Sequence, residues 1–316
     1  RDNIHHREAF RKLSSEYAEI LGIRNNLENR DFRTLIEVDF FSLIDLKILD
    51  SLAVQIFESA ISAGESANLI WRRRNTHWFD DFRDVYEALY HAAQFIHGIH
   101  NADLRMDSLS DGIRKYQSAW HRLDQTYRKF IFHARAARQP LLDKLIERIE
   151  NLYSNNFLLP INDCFQGLLD PAQSWSAVPI PSQSEFFERN IRGYLGTKNK
   201  VAVIISDALR YEIGEELTRV IQEEDRFTAE IEPMLASLPS YTQLGMAALL
   251  PHTRISIARD GTAQVDGQSA TGTENRSKIL NAACKDGAAA IKSSELLSMG
   301  RDESREFAKA NQVIYV

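Results

Sequence analysis

The sequence predicts a helical domain followed by a parallel α/β domain, an α + α/β class, and three observations carry that expectation. From residue 1 to about 155, apolar residues recur at steps of three and four with almost no Gly or Pro between them, the mark of packed amphipathic helices. Over residues 156–180, Asn156, Pro160, Gly167, Pro171 and Pro179 break that periodicity, so an irregular linker is expected, with room for a short helix near Cys164. Beyond it the β-branched run Val201–Ile205 is too short for a helix. Leu209, Ile213, Leu217, Val220 and Ile221 follow at helical spacing. A buried strand feeding a helix, then a repeat of that order, points to a parallel sheet with right-handed crossovers. Domains are therefore expected at 1–155 and 181–316.

Within the first domain, a helix is expected over Arg7–Leu21, and a broad apolar stripe through Phe40, Ile44, Ile48, Leu52 and Ile56 should lie near the centre. Further helices are expected over Trp78–His97, over Ser108–Arg135, and after Pro140, a first-turn proline. Arg72–Arg74 reads as a solvated turn between helices, although such a knot beside Trp78 suits a phosphate backbone too. The spacing of His91, His97, His100, His121 and His133 matches no metal motif. In the second domain a helix is expected over Gln183–Tyr194, and Phe227–Met234 alternates like a half-exposed second strand. Asp260-Gly261 between two short apolar runs predicts a hairpin, placed to narrow the site. Ser269–Thr273 is small and polar and is expected to be mobile. Helices near Thr273–Ala283 and Arg301–Ala310 precede a last strand.

At 316 residues the chain is long enough for two domains. A net charge of −6 gives no global basic character that would argue for nucleic acid. Cys164 and Cys284 lie far apart with neither zinc nor disulfide spacing, so reduced thiols in the cytoplasm are expected. No signal peptide is visible, and no apolar run approaches membrane-spanning length. The chain opens on Arg1 and closes on an apolar run, Val313–Val316, and an internal stretch of a larger protein is the expectation.

Chemistry concentrates between Lys200 and Pro251. Asp207 stands at the carboxyl end of the first strand, where ligands sit in open α/β sheets. Ser237, Ser240 and Thr242 lead into the next helical run, and hydroxyls at such a junction suit an anion. Together they offer a carboxylate for a metal and a hydroxyl for attack on phosphorus. The same residues are also ordinary N-caps, and spacing alone favours that reading.

The blocks Ile204–Glu212 (IISDALRYE), Ser237–Gly245 (SLPSYTQLG) and Ala247–Pro251 (AALLP) resemble the PglZ family, the phosphatase component of BREX phage-defence systems, itself similar to the alkaline phosphatase superfamily. The resemblance implies that Asp207 is the first metal ligand. Thr242 is implied as the nucleophile, also touching the metal, with Ser240 and Ser237 as rivals. It implies two divalent metal ions, zinc first, with manganese or magnesium as alternatives. The remaining Asp and His ligands are expected beyond residue 316, so these residues alone are expected to be inactive or nearly so. Arg210 suits a salt bridge to Glu212 or Glu215, or else a substrate phosphate. Glu212 should lie in the helix facing away from the site, Tyr241 stacks on a leaving group or on the sheet, and His252 caps a helix. Other BREX proteins are the implied partners, through the helical region. A nucleotide or nucleic-acid ester is a candidate substrate, and no membrane partner is expected. The competing function is a catalytically silent scaffold of the defence complex.

Overall fold

A computed structural model describes residues 4–316. The chain divides into two compact units, one ending at Pro171 and one starting at Ala172.

The first unit is helical: α1 (Ile4–Ile20), α2 (Ile23–Glu28), α3 (Ser42–Phe57), α4 (Ala63–Arg73), α5 (Arg83–His100), α6 (Leu109–Lys115), α7 (His121–Ala137), α8 (Asp143–Asn151) and α9 (Leu159–Leu169). Its core is built on α5, whose Tyr86, Leu89, Ala92 and Phe95 are buried, with Ile48, Leu49 and Leu52 of α3 beside them. The expected turn at Arg72–Arg74 is instead the end of α4. Arg73 is fully buried there. Its guanidinium meets Asp45 at 2.6 Å and donates to the carbonyls of Ile36 and Val38, while Tyr86 donates to the same carboxylate at 2.6 Å. A buried arginine is tolerated only with such a full set of partners. Arg72 and Arg74 pair with Glu37 and Glu87. These pairings leave no exposed triple-arginine knot for a phosphate backbone.

The helix allowed near Cys164 is present as α9, but the stretch before it is not irregular: the chain stays helical to Leu169. Pro160 lies in the first turn of α9, directly after a π-helical turn over Leu152–Leu158. A proline costs little at a first-turn position, and the change of helical register at the π turn supplies one.

The second unit opens with short 3₁₀ and π turns over Gln183–Tyr194. It continues with β1 (Val201–Val203), α10 (Tyr211–Gln222), α11 (Thr242–Ala248), β2 (Ile255–Ile257), β3 (Ala263–Val265), β4 (Gln268–Ser269), α12 (Gly272–Ala283), β5 (Ala288–Ala290), α13 (Ser293–Ser298), α14 (Arg301–Ala310) and β6 (Val313–Tyr315). Among the described residues β1, β6 and β5 form a parallel sheet in that order, with Val201 opposite Val313 and Ala288 opposite Val313. The expected hairpin is present as β2–β3, extended by β4 into an antiparallel sheet. One core joins the two sheets through Val203, Leu244, Ala247, Leu250, Val265, Leu280 and Tyr315.

Three expectations fail here for one physical reason: a strand needs a partner as well as a pattern. β1 pairs on one side only, so Ala202 is exposed and Ile204 is 78% exposed rather than buried on both faces. Phe227–Met234 alternates in burial yet joins no ladder; the parallel bridge comes just after it, between Leu235 and Ser182. Ser269, expected in a mobile stretch, finds a partner in β3 and belongs to β4.

Candidate active site

The carboxyl end of β1 runs into a turn in which Ala208 has φ +56°. A left-handed alanine costs on the order of 1–2 kcal/mol, so surrounding structure holds this turn against its own preference. The turn lifts Asp207 toward the start of α11, where Thr242 Oγ1 donates to both carboxylate oxygens at 3.2 Å. Both side chains are exposed. Neither acts as a helix cap: α10 is preceded by Arg210 and α11 by Tyr241, and neither terminus carries a side-chain cap hydrogen bond. The ordinary explanation for an Asp and a Thr at such junctions therefore does not account for them.

The pair lies in an open cleft of about 380 Å³ that Ser206, Ser237, Ser240, Tyr241 and Gln183 also line, with Ile205, Met246 and Leu249 on its apolar side. All three candidate hydroxyls thus share one cleft with Asp207, and Thr242 is the one that bonds to the carboxylate. The Ser237 backbone N–H donates to Gln183 Oε1 at 3.2 Å. Tyr241, half-buried against the core, donates from its hydroxyl to the Gly261 carbonyl at 3.1 Å. That bond ties the hairpin turn to the cleft wall.

Arg210 does not line the cleft. Its guanidinium pairs with Glu212 at 2.8 Å, and Glu212 is fully buried, so the salt-bridge reading of Arg210 describes what is seen. His252 Nδ1 lies 2.6 Å from the Leu250 carbonyl at the end of α11. Behind α11, Tyr315 donates to the Leu249 carbonyl at 2.8 Å. Burial pushes the Tyr315 phenol and the Cys284 thiol above their ordinary pKa values, so both stay neutral in the core. Gln183 was not singled out by sequence reasoning, because only its contacts across more than fifty residues bring it to the cleft.

Among the described residues no group of three or more His, Cys, Asp or Glu is placed to hold a metal ion. Asp207 and Thr242 supply a carboxylate and a hydroxyl, hard oxygen donors suited to one edge of a divalent-ion site. A structural or catalytic zinc takes at least three protein ligands, so this donor set does not make a metal centre by itself.

Residues 186–316 match the family described as the BREX system PglZ alkaline phosphatase-like domain. Among curated proteins, the alkaline phosphatase-like protein PglZ of Bacillus cereus (strain H3081.97) is 29% identical over 314 residues, covering 97% of this chain and 36% of the relative. The alkaline phosphatase-like protein BrxZ of Escherichia coli O9:H4 (strain HS) is 32% identical over 293 residues, covering 86% of this chain and 33% of the relative. Matches of that length run through the helical unit as well. The chain spans about a third of the length of the curated relatives it matches. No solved structure matches it. Over residues 186–316, the chain carries an alkaline phosphatase-like domain of the PglZ family.

Proposed function

We propose that this chain supplies the nucleophile side of a phosphate-ester hydrolase working in a BREX anti-phage system. One observation carries the proposal: a threonine hydroxyl and a strand-tip carboxylate, far apart in sequence, meet at 3.2 Å in an open cleft where neither caps a helix. Thr242 Oγ1 is the attacking atom. Its oxygen forms the new bond to phosphorus, the bond to the departing alcohol breaks with its electron pair, and water later hydrolyses the phosphothreonine. Asp207, which accepts the hydroxyl hydrogen bond and so orients the oxygen lone pairs, takes up the proton as the bond to phosphorus forms, and the departing alkoxide gains a proton from solvent. Ser240 and Ser237 remain the rival nucleophiles.

Asp207 and Thr242 are also proposed as donors to the divalent metal ions of such a centre, zinc first, completed by ligands from outside these residues. A metal bound there would lower the hydroxyl's pKa and neutralise phosphoryl charge. With only two donors present, residues 1–316 alone are proposed to be inactive or nearly so. The ester class, monoester or diester, nucleotide or nucleic acid, is left to the assay.

A scaffold role is the second reading, and it has its own observation. On α1 and just after it, Leu13, Tyr17, Ile20 and Leu21 form an exposed apolar stripe, the last three 52%, 76% and 54% exposed. Such a face suits other BREX proteins as partners, and docking there is compatible with either reading. Among the described residues no helix is long and apolar enough to cross a membrane. The cytoplasm is the proposed compartment, with Cys164 and Cys284 as free thiols.

The test uses the full-length protein. Metals are stripped and zinc, manganese or magnesium restored singly, while hydrolysis of a chromogenic phosphate monoester and diester is followed in the wild type, Asp207→Asn and Thr242→Ala. Metal-dependent hydrolysis lost in both folded variants supports the hydrolase. Absence of hydrolysis, or wild-type rates in both variants, supports the scaffold.

A further inference from the structure

We infer that Gln183 is a substrate-binding residue of the Asp207–Thr242 cleft, its side-chain amide nitrogen donating to a phosphoryl oxygen of the ester; this rests on the phosphohydrolase reading and deepens it. Gln183 lies just ahead of the matched residues 186–316, so the family match does not include it.

Its placement is fixed at both ends. The Gln183 backbone N–H donates to the Leu235 carbonyl at 2.9 Å, and the Leu235 N–H donates to the Pro181 carbonyl at 2.8 Å. This short parallel bridge sets the glutamine beside the loop that leads to Thr242. At the other end, Oε1 accepts the Ser237 N–H at 3.2 Å. A backbone N–H can only be met by the oxygen, so the orientation of the amide is determined. Nε2, with two hydrogens to donate, then faces the other way. It lies 3.5 Å from where a Cβ on Gly245 would stand, nearer than Oε1 at 3.8 Å. Gly245 is one turn along α11 from Thr242, so it shares that residue's face of the helix. It carries no side chain to fill the space. Nε2 has no hydrogen-bond partner among the described residues, and Gln183, Gly245, Thr242 and Asp207 line one cleft. A donor held in place, without a protein acceptor, on a residue that lines the same cleft as the attacking hydroxyl suits the non-bridging oxygens of a phosphoryl group. It supplies hydrogen-bond donation without charge, in a cleft that Arg210 does not enter.

The competing explanation is that Gln183 only anchors the Ser237 loop. Gln183→Glu separates the two roles. A carboxylate still accepts the Ser237 N–H, and the amide nitrogen alone is exchanged for a second oxygen, which repels phosphate. Inorganic phosphate binding to the full-length protein, measured by titration calorimetry, should weaken about tenfold or more in Gln183→Glu, with the melting temperature unchanged. Wild-type affinity in a folded Gln183→Glu overturns the inference and leaves the hydrolase reading standing. If Gln183→Glu does not fold, Gln183→Ala is titrated in its place, and wild-type affinity there overturns the inference equally. If the wild type itself binds no phosphate and cleaves no ester, the hydrolase reading falls and takes this inference with it.

Discussion

Asp207 and Thr242 can be separated from ordinary structural residues by the gap between what their loss does to stability and what it does to rate. Their hydrogen bond is 3.2 Å to each carboxylate oxygen, shared between two acceptors, and both groups are exposed. Deleting such a bond strands no buried group, so it should cost about 0.5–1 kcal/mol. In a protein of at least 316 residues that is a fall of at most about 2 °C in melting temperature. Removal of an attacking oxygen or its orienting carboxylate, by contrast, lowers the rate by about a thousandfold or more. The variants are Thr242→Ala, Thr242→Ser and Asp207→Asn, with Ser240→Ala and Ser237→Ala as the rival-nucleophile controls. They are assayed in the full-length protein by calorimetric melts and by hydrolysis under single-turnover conditions. We expect near-wild-type melts throughout, loss of rate in Thr242→Ala and Asp207→Asn, partial retention in Thr242→Ser, and full rates in the two serine controls. A Thr242→Ala protein that keeps its rate while Ser240→Ala or Ser237→Ala loses it would move the nucleophile to that serine. A Thr242→Ala or Asp207→Asn protein that melts more than about 10 °C lower would show that the pair holds the fold together, against the reasoning above.

Three further outcomes follow from the packing. In the helical unit Asp45→Ala leaves the Arg73 guanidinium fully buried without its carboxylate, facing the Ile36 and Val38 carbonyls and the Tyr86 hydroxyl, which should cost about 3–5 kcal/mol in urea denaturation; an apolar replacement of both partners should recover most of that loss. The N–H groups of Thr253 and then Arg254 hold the Asp266 carboxyl below the usual carboxylate range. Its contribution is therefore complete above the unfolded-chain value of about 3.9 and is lost as pH falls through the lower folded value, so amide exchange at the base of the β2–β3 hairpin should accelerate in acid, and Asp266→Asn should flatten that dependence. Gly287 has φ +82°, and a Cβ there would stand 2.3 Å from the Ala310 carbonyl oxygen. Gly287→Ala should cost at least about 2 kcal/mol, whereas Gly64→Ala, in open space near the start of α4, should be neutral or stabilising by denaturant titration.

What the sequence discloses and what it hides divide along the range of the forces involved. Helices with dense apolar stripes, such as α5 and α7, show in their spacing because each buries its own face. α4 escaped notice because its buried face includes Ser66 and Arg73, and the burial of Arg73 makes sense only once Asp45 and Tyr86 are in place across the core. β5 is a run of alanines, Ala288–Ala290, with no strand preference of its own, and it is a strand because β6 lies beside it. Phe227–Met234 is the converse, a strand-like pattern without a ladder. The cleft follows the same division. Asp207 and Thr242 could be singled out because each sits at a local junction of strand or loop with helix. That they touch is a consequence of topology, since β1 and the start of α11 present their ends on one side of the sheet. Gln183 has no local signal, and the two long-range hydrogen bonds that place it reach Leu235 and Ser237 across some fifty residues. A residue of that kind becomes a candidate only when its committed oxygen is subtracted and its nitrogen is left without an acceptor in a residue that lines the cleft.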